Sequence, residues 1–184
     1  MQYKLTTPCT AEDLAMLRAG DTVLLSGIVY TARDAAHKRM CEALDAGETL
    51  PFPLEGSAIY YVGPTPEKPG QVIGSAGPTT SGRMDAYSPR LLDLGNKIMI
   101  GKGKRDAAVK EAVVRNGAVY VAALGGAGAL MCQCVKTLEV IAWPDLGCEA
   151  VRRLQVEDMP LTVILDTQGG DLYESGPSAY LESK

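Results

Sequence analysis

Three short segments place cationic and hydroxylic side chains beside glycines or at the start of a helical pattern. Arg33 follows the β-branched run 21–30, with Asp34 and His37 close behind it. Thr79, Thr80 and Arg83 fall in the turn-forming stretch GPTTSGR at 77–83, and Lys102 stands between Gly101 and Gly103. Free backbone N–H groups at a helix start favour an anion, and an arginine there adds a two-pronged carboxylate clamp. A lysine between glycines offers a point charge that a ligand can approach closely. Each segment also has a plainer reading. Arg33 reads as a surface arginine paired with Asp34, and a threonine at 79 or 80 reads as a helix cap beside a solvated Arg83.

Other chemistries find little support. His37 is the single histidine, so neither a histidine-rich metal centre nor a Ser-His-Asp hydrolase site has its parts. The GKGK string lacks the spacing and the Ser or Thr of a phosphate-binding P-loop. The five cysteines, at 9, 41, 132, 134 and 148, are scattered, so free thiols are expected. Cys132 and Cys134 form no recognised cluster-ligand pattern. The glycines at 125, 126 and 128 miss the dinucleotide-loop spacing and read as a close-packed turn. Eighteen basic against 22 acidic residues, a net charge of −4, argues against nucleic acid or an anionic membrane as main partner. No apolar run approaches the roughly 20 residues of a membrane span. No signal pattern opens the sequence, so a cytoplasmic protein is expected.

The elements that must position these groups alternate. Strands are expected at 21–30, 57–62, 97–100, 119–124, 137–143 and 161–166. Helices are expected after a Thr10–Asp13 capping box, over 31–44, after Thr79 or Thr80, from Ser88–Pro89, and over 105–115. In the helix over 31–44, Ala36, Met40 and Leu44 form the apolar face. The eight tyrosines read as partly exposed packing, and the polar, turn-rich stretch from Gly169 as a mobile tail covering about 170–184. The fold class is α/β in one domain over 1–184. Two arginines, a lysine and two threonines suit a small dicarboxylate. Dehydrating a 2-hydroxy acid also needs a Lewis acid, and the chain shows no ligand set for one.

RDAAHKR (33–39), GPTTSGRMD (77–85) and GKG (101–103), in this order and separation, resemble the three signatures of the class I, iron-sulfur fumarases. The resemblance spans residue 5 to about 173 and is to their carboxy-terminal domain or β subunit. The β subunit of L(+)-tartrate dehydratase is similar. The resemblance implies a swivelling β/β/α domain, a mixed sheet or flattened barrel flanked by helices. It implies a hydro-lyase of fumarate and (S)-malate, active only with an α subunit that holds a [4Fe-4S] cluster, this chain contributing no metal ligand. The assembly is then a hetero-oligomer that can also self-associate. By position, Arg33, Thr80, Arg83 and Lys102 would bind substrate and Thr79 would move the proton, with His37 and Asp34 as competitors for that role. A non-catalytic anion-binding module is the alternative of another class.

Overall fold

The structure, a computed structural model, describes residues 1–123 and 128–182. Strand β1 (Gln2–Thr6) and helix α1 (Ala11–Leu14) precede β2 (Thr22–Thr31), α2 (Asp34–Asp45) and β3 (Ala58–Tyr60). A 3₁₀ turn (Ser81–Met84) and α3 (Ser88–Asp93) lead to β4 (Ile98–Gly101), α4 (Ala107–Arg115) and β5 (Val119–Ala122). Then come α5 (Gly128–Cys134), β6 (Val135–Ala142), a second 3₁₀ turn (Pro144–Glu149), β7 (Val151–Leu165) and α6 (Leu172–Glu182).

β2, β3, β4 and β5 run parallel in that order, and β7 lies antiparallel to both β5 and β2. This closes a five-stranded mixed barrel, to which β1 adds beside β2 and β6 beside β7. Successive side chains on a strand face opposite sides, and here both sides are buried. Ala58, Tyr60, Ile98, Ile100, Val119 and Val121 join one apolar cluster with Val23, Leu25 and Leu154. Ile59, Tyr61, Met99 and Tyr120 join a second one with Ala36, Met40, Leu91, Val109 and Val113. The second cluster fills the space under the helices and carries the helix faces read from the sequence. Parallel strands put their carboxyl ends on one rim, so the segments after β2, β3 and β4 come together there.

Several boundaries differ from expectation. Thr31 stays in β2 and the Ala32 amide donates to the Tyr60 carbonyl at 3.1 Å, so α2 starts at Asp34 with Arg33 as its N-cap residue, not in its first turn. β7 is 15 residues long, whereas only its last part was expected as strand. Asp158 there takes φ 46° at a register shift opposite β2, and Pro160 follows, so a bulge inside a strand reads as a turn in the sequence. β1 and α5 were not anticipated. Turn structure past Gly169 reaches only Asp171, and α6 follows. Tyr60, Tyr61 and Tyr120 are fully buried, which corrects the partly exposed packing expected of them. Thr10 and Asp13 do form the capping box, and Asp106 caps α4 by accepting from the Val109 amide at 2.9 Å. The glycine-rich turn expected near 125 lies outside the described residues.

Candidate active site

The three segments meet at the rim through the backbone. The Thr79 amide donates to the Tyr61 carbonyl at 2.8 Å, which lays the 78–80 strip beside the end of β3. Thr80 bridges Lys102 in parallel pairing. Ser81 then locks the two segments together. Its amide donates to the Lys102 carbonyl at 2.9 Å, and its Oγ accepts from the Lys102 amide at 3.0 Å. Gly101 makes this approach sterically feasible: a Cβ there would stand 2.0 Å from Ser81 Oγ. Gly103 adopts φ 85°, the left-handed region that glycine enters without strain. Both its polar groups are held, its amide by Tyr173 Oη at 3.2 Å and its carbonyl by the Tyr120 hydroxyl at 2.9 Å. Ser81, Tyr120 and Tyr173 were not among the residues expected to matter. A buried serine inside GPTTSGR was the one signal that could have flagged the first.

Thr80 stands at the N-cap of the Ser81–Met84 turn, but no side chain caps that turn. The capping reading of this threonine therefore fails, and the expected helix is a single 3₁₀ turn. Arg83 and Lys102 are exposed and make no ion pair among the described residues. Thr79 is half-buried beside them in sequence. These residues present fixed backbone, two hydroxyls and two uncompensated positive charges at one place.

Arg33 is differently placed. Its side chain is 19% exposed, Nη2 pairs with Glu149 Oε1 at 3.0 Å, and the other Glu149 oxygen accepts from the Ala35 amide at 3.1 Å. Asp34, the partner expected from sequence, is more remote at 3.7 Å. The guanidinium also lies against Gly63, where a Cβ would meet Nη1 at 2.9 Å. Gly63 follows Tyr61 by two residues, so Arg33 borders the same strand end that holds Thr79. Three buried polar atoms without a hydrogen-bond partner among the described residues fall in this turn: Arg33 Nε, Asp34 Oδ1 and His37 Nε2.

His37 is 1% exposed, and its ring Nδ1 lies 2.9 Å from the Arg33 carbonyl, with the ring edge toward Tyr61 at 5.2 Å. Burial pushes its pKa down to about 4, the Arg33 carbonyl opposing and the Arg105 charge adding to the fall. The imidazole is thus neutral near pH 7, and Nδ1–H donates to Arg33.

The cysteines do not fit a cluster site on this chain. Cys9 is buried and its thiol is pushed up to about 11 by burial, with Asp13 adding to the shift. The Cys132 and Cys134 thiols donate to carbonyls of their own helix, at 3.0 and 3.7 Å from Ala129 and Leu130. Among the described residues no three His, Cys, Asp or Glu side chains gather as a metal site.

Fold and site together define a closed mixed barrel with exposed cations on the rim at the carboxyl ends of its parallel strands. Residues 1–176 match the family model described as fumarase C-terminus, and the chain belongs to that family. It is 38% identical over 168 residues to fumarate hydratase 2 of Leishmania major, covering 88% of this chain and 29% of that protein. It is 40% identical over 152 residues to the anaerobic class I fumarate hydratase of Escherichia coli K12, covering 82% and 28%. With the L(+)-tartrate dehydratase subunit beta of the same strain, identity is 33% over 189 aligned residues, covering 100% of this chain and 92% of that one. The chain thus spans under a third of the length of the fumarate hydratases it matches.

Proposed function

We propose that this chain is the β-subunit half of an iron-sulfur hydro-lyase that interconverts fumarate and (S)-malate in the cytoplasm. The observation that carries the reading is the Ser81 lock, which sets Thr79, Thr80 and Arg83 beside Lys102, neither cation being ion-paired among the described residues. In this reading Arg83 and Lys102, with Arg33 across the rim, hold the two carboxylates. Thr80 donates to substrate, and Thr79 takes the proton from the carbon next to the one bearing the hydroxyl. The nearby cations favour the anionic form of a hydroxyl whose intrinsic pKa is far above neutrality. Asp34 and His37 are the competitors for the proton. The buried, neutral His37 is better placed to hold the Arg33 backbone than to reach a ligand on the rim.

A [4Fe-4S] cluster, when bound in the assembly, would supply the Lewis acid for the substrate hydroxyl. Since these cysteines do not gather, the reading places it on the partner α subunit. A relative named as a subunit beta supports such a partner. That same relative favours the second reading, in which the substrate is L(+)-tartrate.

The test is kinetic and uses the assembled complex. Thr79→Val keeps shape and loses only the hydroxyl, so turnover should fall by a factor on the order of 10² or more with the affinity of an unreactive dicarboxylate nearly unchanged. Near-normal turnover in Thr79→Val, with loss of turnover in folded His37→Gln, would move the proton transfer to the 33–37 segment. Faster turnover of tartrate than of malate by the wild-type complex would select the second reading.

A further inference from the structure

The most buried ion pair among the described residues lies under the rim and touches none of the groups proposed to bind substrate. Arg105 has a side chain 0% exposed, and its Nε donates to Asp85 Oδ1 at 2.6 Å. Nη2 donates to Ser88 Oγ at 2.8 Å and Nη1 reaches Met99 Sδ at 3.4 Å. The guanidinium lies near two rings, 5.4 Å from the centre of Tyr61 and 4.9 Å from that of Tyr120. The second Asp85 oxygen accepts from the Asp106 amide at 2.8 Å, next to Arg105 in the chain.

Each contact leads back to the rim. Asp85 and Ser88 flank the end of the turn that carries Ser81 and Arg83, and Ser88 Oγ also donates to the Met84 carbonyl at 2.9 Å. The Tyr120 hydroxyl holds Gly103 and lies 2.9 Å from Ser81 Oγ. Tyr61 gives its carbonyl to Thr79. Arg105 itself follows Lys102 by three residues. A buried ion pair adds little net stability, because desolvation offsets the attraction; this one joins the Ser81–Met84 turn to the segment that follows Lys102.

We infer that Arg105 is a positioning residue: a buried cationic strut that sets the Thr79–Arg83 strip against Lys102. The planar guanidinium serves Asp85 and Ser88 at once, which a lysine ammonium on its single stem does not reproduce. Only the kinetic arm of the test rests on the hydro-lyase reading.

The experiment measures amide hydrogen exchange in the full chain for wild type, Arg105→Lys and Ser88→Ala. Arg105→Lys is expected to speed exchange at the Ser81 and Lys102 amides at least tenfold, with amides of the β4–β5 ladder within twofold of wild type. Ser88→Ala removes one arm of the fork and should give the same pattern at about threefold. In the assembled complex Arg105→Lys should lower kcat at least tenfold. Exchange that rises uniformly, or at neither amide, overturns the inference. Should Arg105→Lys fail to fold, Ser88→Ala decides alone, and unchanged exchange at Ser81 and Lys102 overturns it. If the wild-type complex turns over neither fumarate nor tartrate, the hydro-lyase reading fails and the exchange pattern still judges the strut.

Discussion

Cations on the helical flank and cations on the rim live in different company. On the flank Arg115 pairs with Asp93 at 2.8 Å, Arg90 with Asp45 at 2.7 Å and Arg39 with Asp145 at 2.5 Å. On the rim Arg83, Lys102 and Lys104 are exposed with no ion pair among the described residues, in a chain with more acids than bases. The flank pairs are ordinary surface contacts, each worth roughly 0–1 kcal/mol. Leaving positive charge unpaired, over a backbone locked by Ser81 and braced by Arg105, has little structural purpose and suits an anion that arrives from outside. Exposure without a carboxylate partner marks Arg83 and Lys102, whereas Arg33, paired with Glu149 at 3.0 Å, is the rim cation that departs from this pattern.

The contrast can be broken in four ways, beginning with acid. His37, under the rim, is held well below its unfolded pKa of about 6.5, so the unfolded chain binds more protons between that value and about 4. Stability contributed by the neutral imidazole is therefore full above about pH 6.5 and lost as pH falls, by up to about 3 kcal/mol. Denaturant unfolding of wild type and His37→Gln across this window should show a steep wild-type decline that the variant flattens. Asp93 on the flank, its pKa lowered first by the Arg115 hydrogen bond, contributes stability that is present above the ordinary carboxylate range and is lost only as pH falls below it, at more acidic pH than His37.

Charge removal comes next. Arg83→Ala and Lys102→Met should each weaken dicarboxylate binding to the complex by about 1.5–3 kcal/mol, roughly 10- to 100-fold, read by inhibition with an unreactive dicarboxylate. Glycine substitution follows. Gly101→Ala forces a Cβ toward Ser81 Oγ and the Tyr61 ring and should cost about 1–3 kcal/mol in thermal unfolding, with loss of dicarboxylate affinity. Gly47→Ala, at φ 71° with open space around it, should cost about 1 kcal/mol with affinity intact. The smallest effect belongs to Arg115→Ala, about 0.2–1 kcal/mol of stability and unchanged affinity. Equal losses of affinity in Arg83→Ala and Arg115→Ala would erase the distinction between the two regions.

What could be read in the sequence was local. The apolar faces of α2 and α4, the Thr10 cap and the glycine-flanked rim segments depend on residues a few positions apart. The barrel contacts do not. β7 hid behind Asp158 and Pro160, because a bulge uses turn residues. Glu149, which takes Arg33 from its expected partner Asp34, is distant in sequence. Arg105 looked like the first residue of a helix, and only the closed sheet shows that its side chain lies beneath Tyr61 and Tyr120. Thr79, Thr80, Arg83 and Lys102 were legible as a group, yet the hydroxyl that joins them is on Ser81.

The central claim is that this chain supplies a cationic half-site and a partner supplies the cluster. Its most direct test is anaerobic purification of the chain alone and of the chain with its candidate cluster-bearing partner, measuring iron, acid-labile sulfide and malate turnover in both. The account predicts no stoichiometric cluster and no turnover in the chain alone, and both in the complex. A stoichiometric cluster in the isolated chain that disappears when Cys132 and Cys134 are replaced would contradict it.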